Sequence, residues 1–191
     1  MKVDKKEFVA PVSVLVLICF FTALLLALTY KVANPIIVAN NEAAAVAARK
    51  ELLPDADNFT DQTESLGEMA TSADGKAVVT EVYSADNGAG VVYTVETTSF
   101  GGALTMMVGV DGNGAVTGVK IQEHADTAGV GTKNFMDDYL AQYAGLSAVG
   151  NEDVKKDGSI VFISGASVTG TAVHKGVSAA LNEYAKMGGV Q

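Results

Sequence analysis

AVVTEVYSADNGAGVVYTVETTSFGGALTMMVGVDGNGAVTGVKIQ, residues 77–122, decides the fold. Its β-branched segments AVVTEVY, VVYTVET, ALTMMVGV and AVTGVKIQ are separated by turn signals, notably Asp86-Asn87-Gly88 and Asp111-Gly112-Asn113-Gly114. Connections this short join antiparallel neighbours, because a parallel crossover needs roughly a dozen residues or more. The middle of the chain is therefore predicted to be an antiparallel meander.

Downstream, Asn134 to Tyr143 places Phe135, Tyr139 and Tyr143 every four residues on one face, the signature of a short helix. Ile160–Ile163 (IVFI) reads as a buried strand. From Val168 onward, Val173, Val177, Ala180, Leu181 and Tyr184 form a stripe with the helical period, so the chain closes on an amphipathic helix. Upstream, Asp55 to Lys76 is polar and turn-rich and reads as loop or irregular cover. The fold class is α+β: an antiparallel sheet with flanking helices.

A different solvent is written into the N-terminus. Phe8 to Tyr30 carries no charged residue, and at about 1.5 Å per residue it covers the ~30 Å hydrocarbon core of a bilayer. It reads as a single transmembrane helix, which accounts for much of the 49% hydrophobic content. The rival, a cleaved signal peptide, has a shorter apolar region of about 7–15 residues and a small-residue cleavage site, whereas Lys31 follows Tyr30 directly. Lys2, Lys5 and Lys6 precede the apolar run, which places residues 1–7 in the cytoplasm, residues 8–30 across the membrane and the rest outside. Asn34 and Pro35 supply a cap and a first-turn proline for a juxtamembrane helix within residues 31–54, either packed on the domain or continuing the anchor. Residues 55–191 form one extracytoplasmic domain.

The formal net charge of -9 belongs to that domain. It argues against nucleic acid and anionic lipid headgroups as partners, since binding polyphosphate needs clusters of Lys and Arg. The lipid bilayer itself is a partner through the anchor. The single cysteine, Cys19, lies in the apolar run and reads as a small apolar residue, so the domain has no thiol chemistry of its own. His124 and His174 stand far apart with no metal-site spacing. His174 is expected on the polar, solvated side of the last helix, and His124 makes an ordinary polar contact or faces a ligand from the loop it borders.

The segment richest in chemistry is Ile163-Ser164-Gly165-Ala166-Ser167-Val168-Thr169-Gly170-Thr171. Hydroxyl side chains gather where the chain enters the last helix, beside Gly and Ala that leave the backbone uncovered. A helix N-terminus offers free N–H groups and partial positive charge to a phosphate. The same residues also suit an ordinary helix cap.

With Ser164-Gly165-Ala166-Ser167-Val168-Thr169 the chain resembles the FMN-binding domain shared by the G subunit of Rnf complexes and the C subunit of sodium-pumping NADH:quinone oxidoreductase. That family carries S-G-A-T-x-T/S before its last helix, and its threonine bears FMN through a phosphoester, installed by a flavin transferase that uses FAD. The resemblance makes Ser167 the acceptor, with Thr169 and Thr171 as alternatives; serine stands in place of threonine, and Val161 where an acidic residue is frequent. A second match, Glu123-His124-Ala125-Asp126-Thr127-Ala128-Gly129-Val130-Gly131-Thr132-Lys133, is similar to the family's E-H-x-E-T-P-G-L-G-x-K loop, and Phe100-Gly101-Gly102 to its G-Y/F-G-G turn.

The resemblance implies that Ser164, Gly165, Ala166, Val168, Thr169, Asp126, Thr127, Gly129, Val130, Gly131, Thr132, Lys133, Gly102 and His124 surround covalent FMN. It implies an electron-carrier subunit of an Rnf-type, ion-translocating ferredoxin:NAD oxidoreductase, working beside other membrane subunits rather than as a freestanding enzyme. Two alternatives stay open: a C-type subunit of the quinone oxidoreductase, and a membrane-anchored assembly module without flavin.

Overall fold

The computed structural model describes residues 5–188 and divides the chain into two compact units, residues 1–46 and 47–191. Lys2 and the last three residues lie outside that range.

The first unit is helical. Helix α1 runs from Lys5 to Leu52 without interruption and contains both Pro11 and Pro35. The helix start expected at Asn34-Pro35 is thus not made. Proline removes one backbone hydrogen bond, whereas ending the helix there would orphan about four N–H and four C=O groups on either side of the break. Helix-forming sequence on both flanks makes continuation the cheaper choice. The helix is long and apolar enough to cross a membrane, and Val9, Leu15, Phe20, Leu26 and Ile37 are among its exposed apolar side chains.

In the second unit, the meander stands as its turns predict. Strands β1 (Phe59–Asp61), β2 (Val78–Ala85), β3 (Gly90–Thr98), β4 (Ala103–Asp111) and β5 (Val116–His124) form one sheet in sequence order, every pair antiparallel. β1 lies within the polar stretch read as loop. Its three residues pair with Tyr83–Ala85, too short a run to show a period. Along β3 and β4 the side chains alternate: Val91, Tyr93, Val95, Leu104, Met106 and Val108 enter the main core, while Val92 and Met107 are buried on the opposite face.

Helix α3 (Ser167–Met187) covers the main-core face with Val173, Val177, Ala180 and Leu181. It lies close because Gly176 has no side chain; a Cβ there would stand 2.5 Å from Met106 Cε. The other face receives the end of α1. Leu52 drops over Gly109 and Gly118, which are paired across β4 and β5, and a Cβ on either would come within 3.1 Å of the Leu52 side chain. Arg49 is buried there, its guanidinium 3.4 Å from the centre of the Tyr83 ring.

Three local expectations are corrected. Asn134–Tyr143 is not one helix but a 3-10 turn at Gly131–Phe135, a single α turn, α2 (Asp137–Leu140), and a second 3-10 turn at Ala141–Tyr143. Met136 is extended between the first two. The aromatic stripe still marks the core side, since Tyr139 and Tyr143 are buried and Phe135 packs on the core. Ile160–Ile163 is not a strand. Ile160 is buried but Val161 and Phe162 face outward, and the Val161 N–H donates to the Gln142 side chain at 2.9 Å rather than to a neighbouring strand. His174 is not solvated: it is fully buried, with Nε2 3.0 Å from the Asn151 carbonyl and 3.2 Å from Asp157 Oδ2. A histidine beside valines meets a polar loop here, residues 150–159, that periodicity alone does not reveal.

Candidate functional site

The turn that leads into α3 is set by one residue. The Ala166 N–H donates to the Ile163 carbonyl at 3.1 Å, and Gly165 takes φ +84° in between, a left-handed conformation that glycine adopts at little cost. Ala166 then stands at the cap position, and no side chain caps the helix. The hydroxyls gathered there do other work, and the first N–H groups of a 21-residue helix keep their positive end open.

The hydroxyls differ sharply in surroundings. Thr169 is buried, and its Oγ1 donates to Asp126 Oδ1 at 2.9 Å. Ser164 is exposed, and Thr171 is half-buried along a cleft that Ser167 also lines. Ser167 is half-buried and lies in the walls of two cavities at once. One, of about 370 Å³, is lined by Phe100, Asp126, Thr127, Val130, Ala166 and Val168, among others. The other, of about 340 Å³, brings Lys76, Lys155 and Lys175 to the same serine with Thr97, Thr98 and one carboxylate, Asp153. Both volumes fall in the ordinary range for small-molecule sites, about 300–1,000 Å³. The first has an apolar rim, since Phe100, Val130 and Val168 are all more than half exposed.

Asp126 ties the three sequence motifs together. It is buried, and Oδ1 accepts from the Gly101 N–H at 3.1 Å and from Thr169 Oγ1. A Cβ on Gly101 would come within 2.5 Å of the Asp126 Cα, and one on Gly131 within 2.6 Å of Asp126 Oδ1. Asp126 Oδ2 is buried without a hydrogen-bond partner among the described residues. Asn134 closes the assembly: its amide donates to the Gly131 carbonyl at 3.1 Å and to the Ala166 carbonyl at 3.0 Å.

Of the residues singled out in the sequence, Asp126, Thr127, Val130, Gly131, Gly165, Ala166, Ser167, Val168 and Thr169 line the apolar-rimmed cavity. Gly102, Gly129, Thr132, Lys133, His124 and Ser164 are not among its lining residues. Gly129 donates its N–H to Thr132 Oγ1 at 2.8 Å, so this pair shapes the loop from within. His124 packs against Phe135 at a tilt, ring centres 4.8 Å apart. Phe100, Asn134 and the three lysines escape a site reading from sequence. Phe100 is visible there only as part of a turn, and nothing in the local pattern around the others signals a site.

Among the described residues, no group of three or more His, Cys, Asp or Glu side chains is placed to hold a metal. Asp74, which faces the lysine cleft through Lys175 at 2.6 Å, is held down to about 2 by that ammonium.

Residues 99–182 match the FMN-binding domain family. The chain is 30% identical to the G subunit of the Na(+)-translocating ferredoxin:NAD(+) oxidoreductase complex of Acetobacterium woodii, over 90% of this chain and 88% of the relative. It is 29% identical to the G subunit of the ion-translocating oxidoreductase complex of Methanosarcina acetivorans, covering 89% and 90%. The G subunit of the proton-translocating ferredoxin:NAD(+) oxidoreductase complex of Clostridium ljungdahlii is 26% identical over 94% and 93%.

Proposed function

The chain belongs to the family of G subunits of ion-translocating oxidoreductase complexes, and from that premise we propose that it is the electron-carrier subunit of an Rnf-type ferredoxin:NAD oxidoreductase, carrying FMN as a phosphoester on Ser167. The relatives are named as G subunits, so the C-type alternative is not favoured. The chain is similar both to a relative named for sodium and to one named for protons.

The residues present fit FMN. A cavity with Phe100, Val130 and Val168 at its rim suits a flat apolar ring. Open N–H groups at the start of α3 and the lysine cleft suit a phosphate. Bound there, the flavin supplies reversible uptake of electrons, and the protein supplies attachment, orientation and field.

The observation that carries the assignment to Ser167 is the contrast among hydroxyls: Thr169 is buried and committed to Asp126, while Ser167 alone borders both cavities. In the attachment step the Ser167 oxygen bonds to the FMN-side phosphorus of FAD. The pyrophosphate P–O bond breaks, AMP departs with the bridging oxygen, and the hydroxyl proton passes to a base of the flavin transferase that catalyses the exchange. The remaining functions follow the division of the chain: residues 1–7 cytoplasmic, 8–30 in the bilayer, 31–54 juxtamembrane, and 55–191 outside, beside partner subunits of the complex.

Intact mass of the chain co-expressed with a flavin transferase tests the reading. The wild type and Ser167→Thr are expected to carry one covalent FMN, as are Thr169→Ala and Thr171→Ala; Ser167→Ala is expected to carry none. Flavin retained on Ser167→Ala but lost from a threonine variant moves the acceptor. A wild type without flavin refutes the carrier.

A further inference from the structure

Resting on the FMN reading above, we propose that Asp126 is a positioning residue that also sets the flavin's reduction potential, its buried carboxylate holding that potential low from the wall of the cavity.

Its place follows from the geometry. A cavity of about 370 Å³ is roughly 7–9 Å across, so a group filling it stands within several ångströms of the walls, where charges interact strongly. Asp126 is in that wall and buried, and only one of its oxygens is compensated: Oδ1 accepts from the Gly101 N–H and the Thr169 hydroxyl, while Oδ2 has no partner among the described residues. The lysines near Ser167 line the other cavity. The apolar-rimmed side therefore holds, beside the positive end of α3, a carboxylate with half its hydrogen-bonding capacity unmet. An electron entering that side adds negative charge beside negative charge, which disfavours reduction. Burial also keeps salt from screening the effect.

The carboxylate's other role is mechanical. Through the same oxygen it joins the β3–β4 turn to the first turn of α3, and so holds together the two segments that bring Phe100 and Ser167 into one cavity. The two roles separate by substitution. Asp126→Asn keeps an oxygen that accepts from Gly101 and Thr169 while removing the charge. Thr169→Val keeps the charge and shape while removing one donor that offsets it.

The test is a redox titration of the full-length protein with its covalent FMN, in detergent, with flavin content measured on denatured protein. Asp126→Asn is expected to retain flavin and to titrate at a higher potential. At the wild-type midpoint, its ratio of reduced to oxidised flavin rises on the order of tenfold, and the shift survives added salt. Thr169→Val is expected to move the midpoint the other way. A midpoint unchanged in Asp126→Asn overturns the proposal, and so does a rise in both variants, which would mark loosened packing. Absence of flavin from the wild type would instead count against the FMN reading itself.

Discussion

Gly131 and Gly129 sit two residues apart in one loop and are glycine for different reasons. Gly131 needs room: a Cβ would stand 2.6 Å from Asp126 Oδ1. Gly129 needs conformation, with φ +78° and open space around it. Asparagine, which tolerates the left-handed region, should therefore be accepted at 129, while Gly131→Asn should cost about 1–3 kcal/mol of stability and reduce flavin attachment, read by thermal unfolding and by flavin content. Equal effects at both positions would remove the distinction. Asp157 offers a second test. Burial pushes its carboxyl up, but hydrogen bonds from Ser159, Asn151 and His174 outweigh that and hold it well below the usual carboxylate range. A depressed folded value means stability that is complete above the unfolded value of about 3.9 and is lost as pH falls below it. Asp157→Asn should flatten the fall in melting temperature below that pH and cost about 2 kcal/mol near neutrality. The glycines and the hydroxyls of the site are legible in the sequence because their spacing is local. The partners of His174 and Thr169, 17 and 43 residues away, are not.

At the scale of elements, the strands are legible because turns such as Asp86-Asn87-Gly88 announce them and their faces alternate. Ile160–Ile163 reads falsely as a strand because four apolar residues carry no period, and only the surroundings of Val161 and Phe162 reveal an irregular segment. The sequence leaves the end of α1 undecided, since the glycines that receive it, Gly109 and Gly118, lie in strands where they look merely weak. That pairing is testable. Gly109→Val would drive side-chain atoms into Leu52 and Thr117, where even a Cβ comes within 2.4 Å of the Thr117 hydroxyl, whereas Gly118→Ala meets only the flexible end of Leu52 at 3.1 Å. The first should destabilise the domain by about 1–3 kcal/mol and the second by less, measured by denaturant unfolding. The reverse order would mean that Leu52 does not sit in this notch.

For the whole molecule, the bias of Lys2, Lys5 and Lys6 to one side of the apolar run predicts that the FMN-binding domain lies outside the cytoplasm. With Cys19 replaced by alanine and an exposed residue such as Ala148 replaced by cysteine, a membrane-impermeant thiol reagent should label intact cells; labelling only after lysis would invert the topology. The docking of Leu52 bears on how the domain is to be isolated. Ala48, Leu52 and Leu53 are buried within the second unit, so a soluble version beginning at Ala47 retains the cover over Gly109 and Gly118, while one beginning at Asp55 uncovers them. Each lost leucine forfeits roughly 1.5–3 kcal/mol of burial, and the bared sheet presents a sticky apolar patch. The shorter form should therefore precipitate or pair with itself where the longer one stays monodisperse, a difference that a size-exclusion column would display before any flavin is attached.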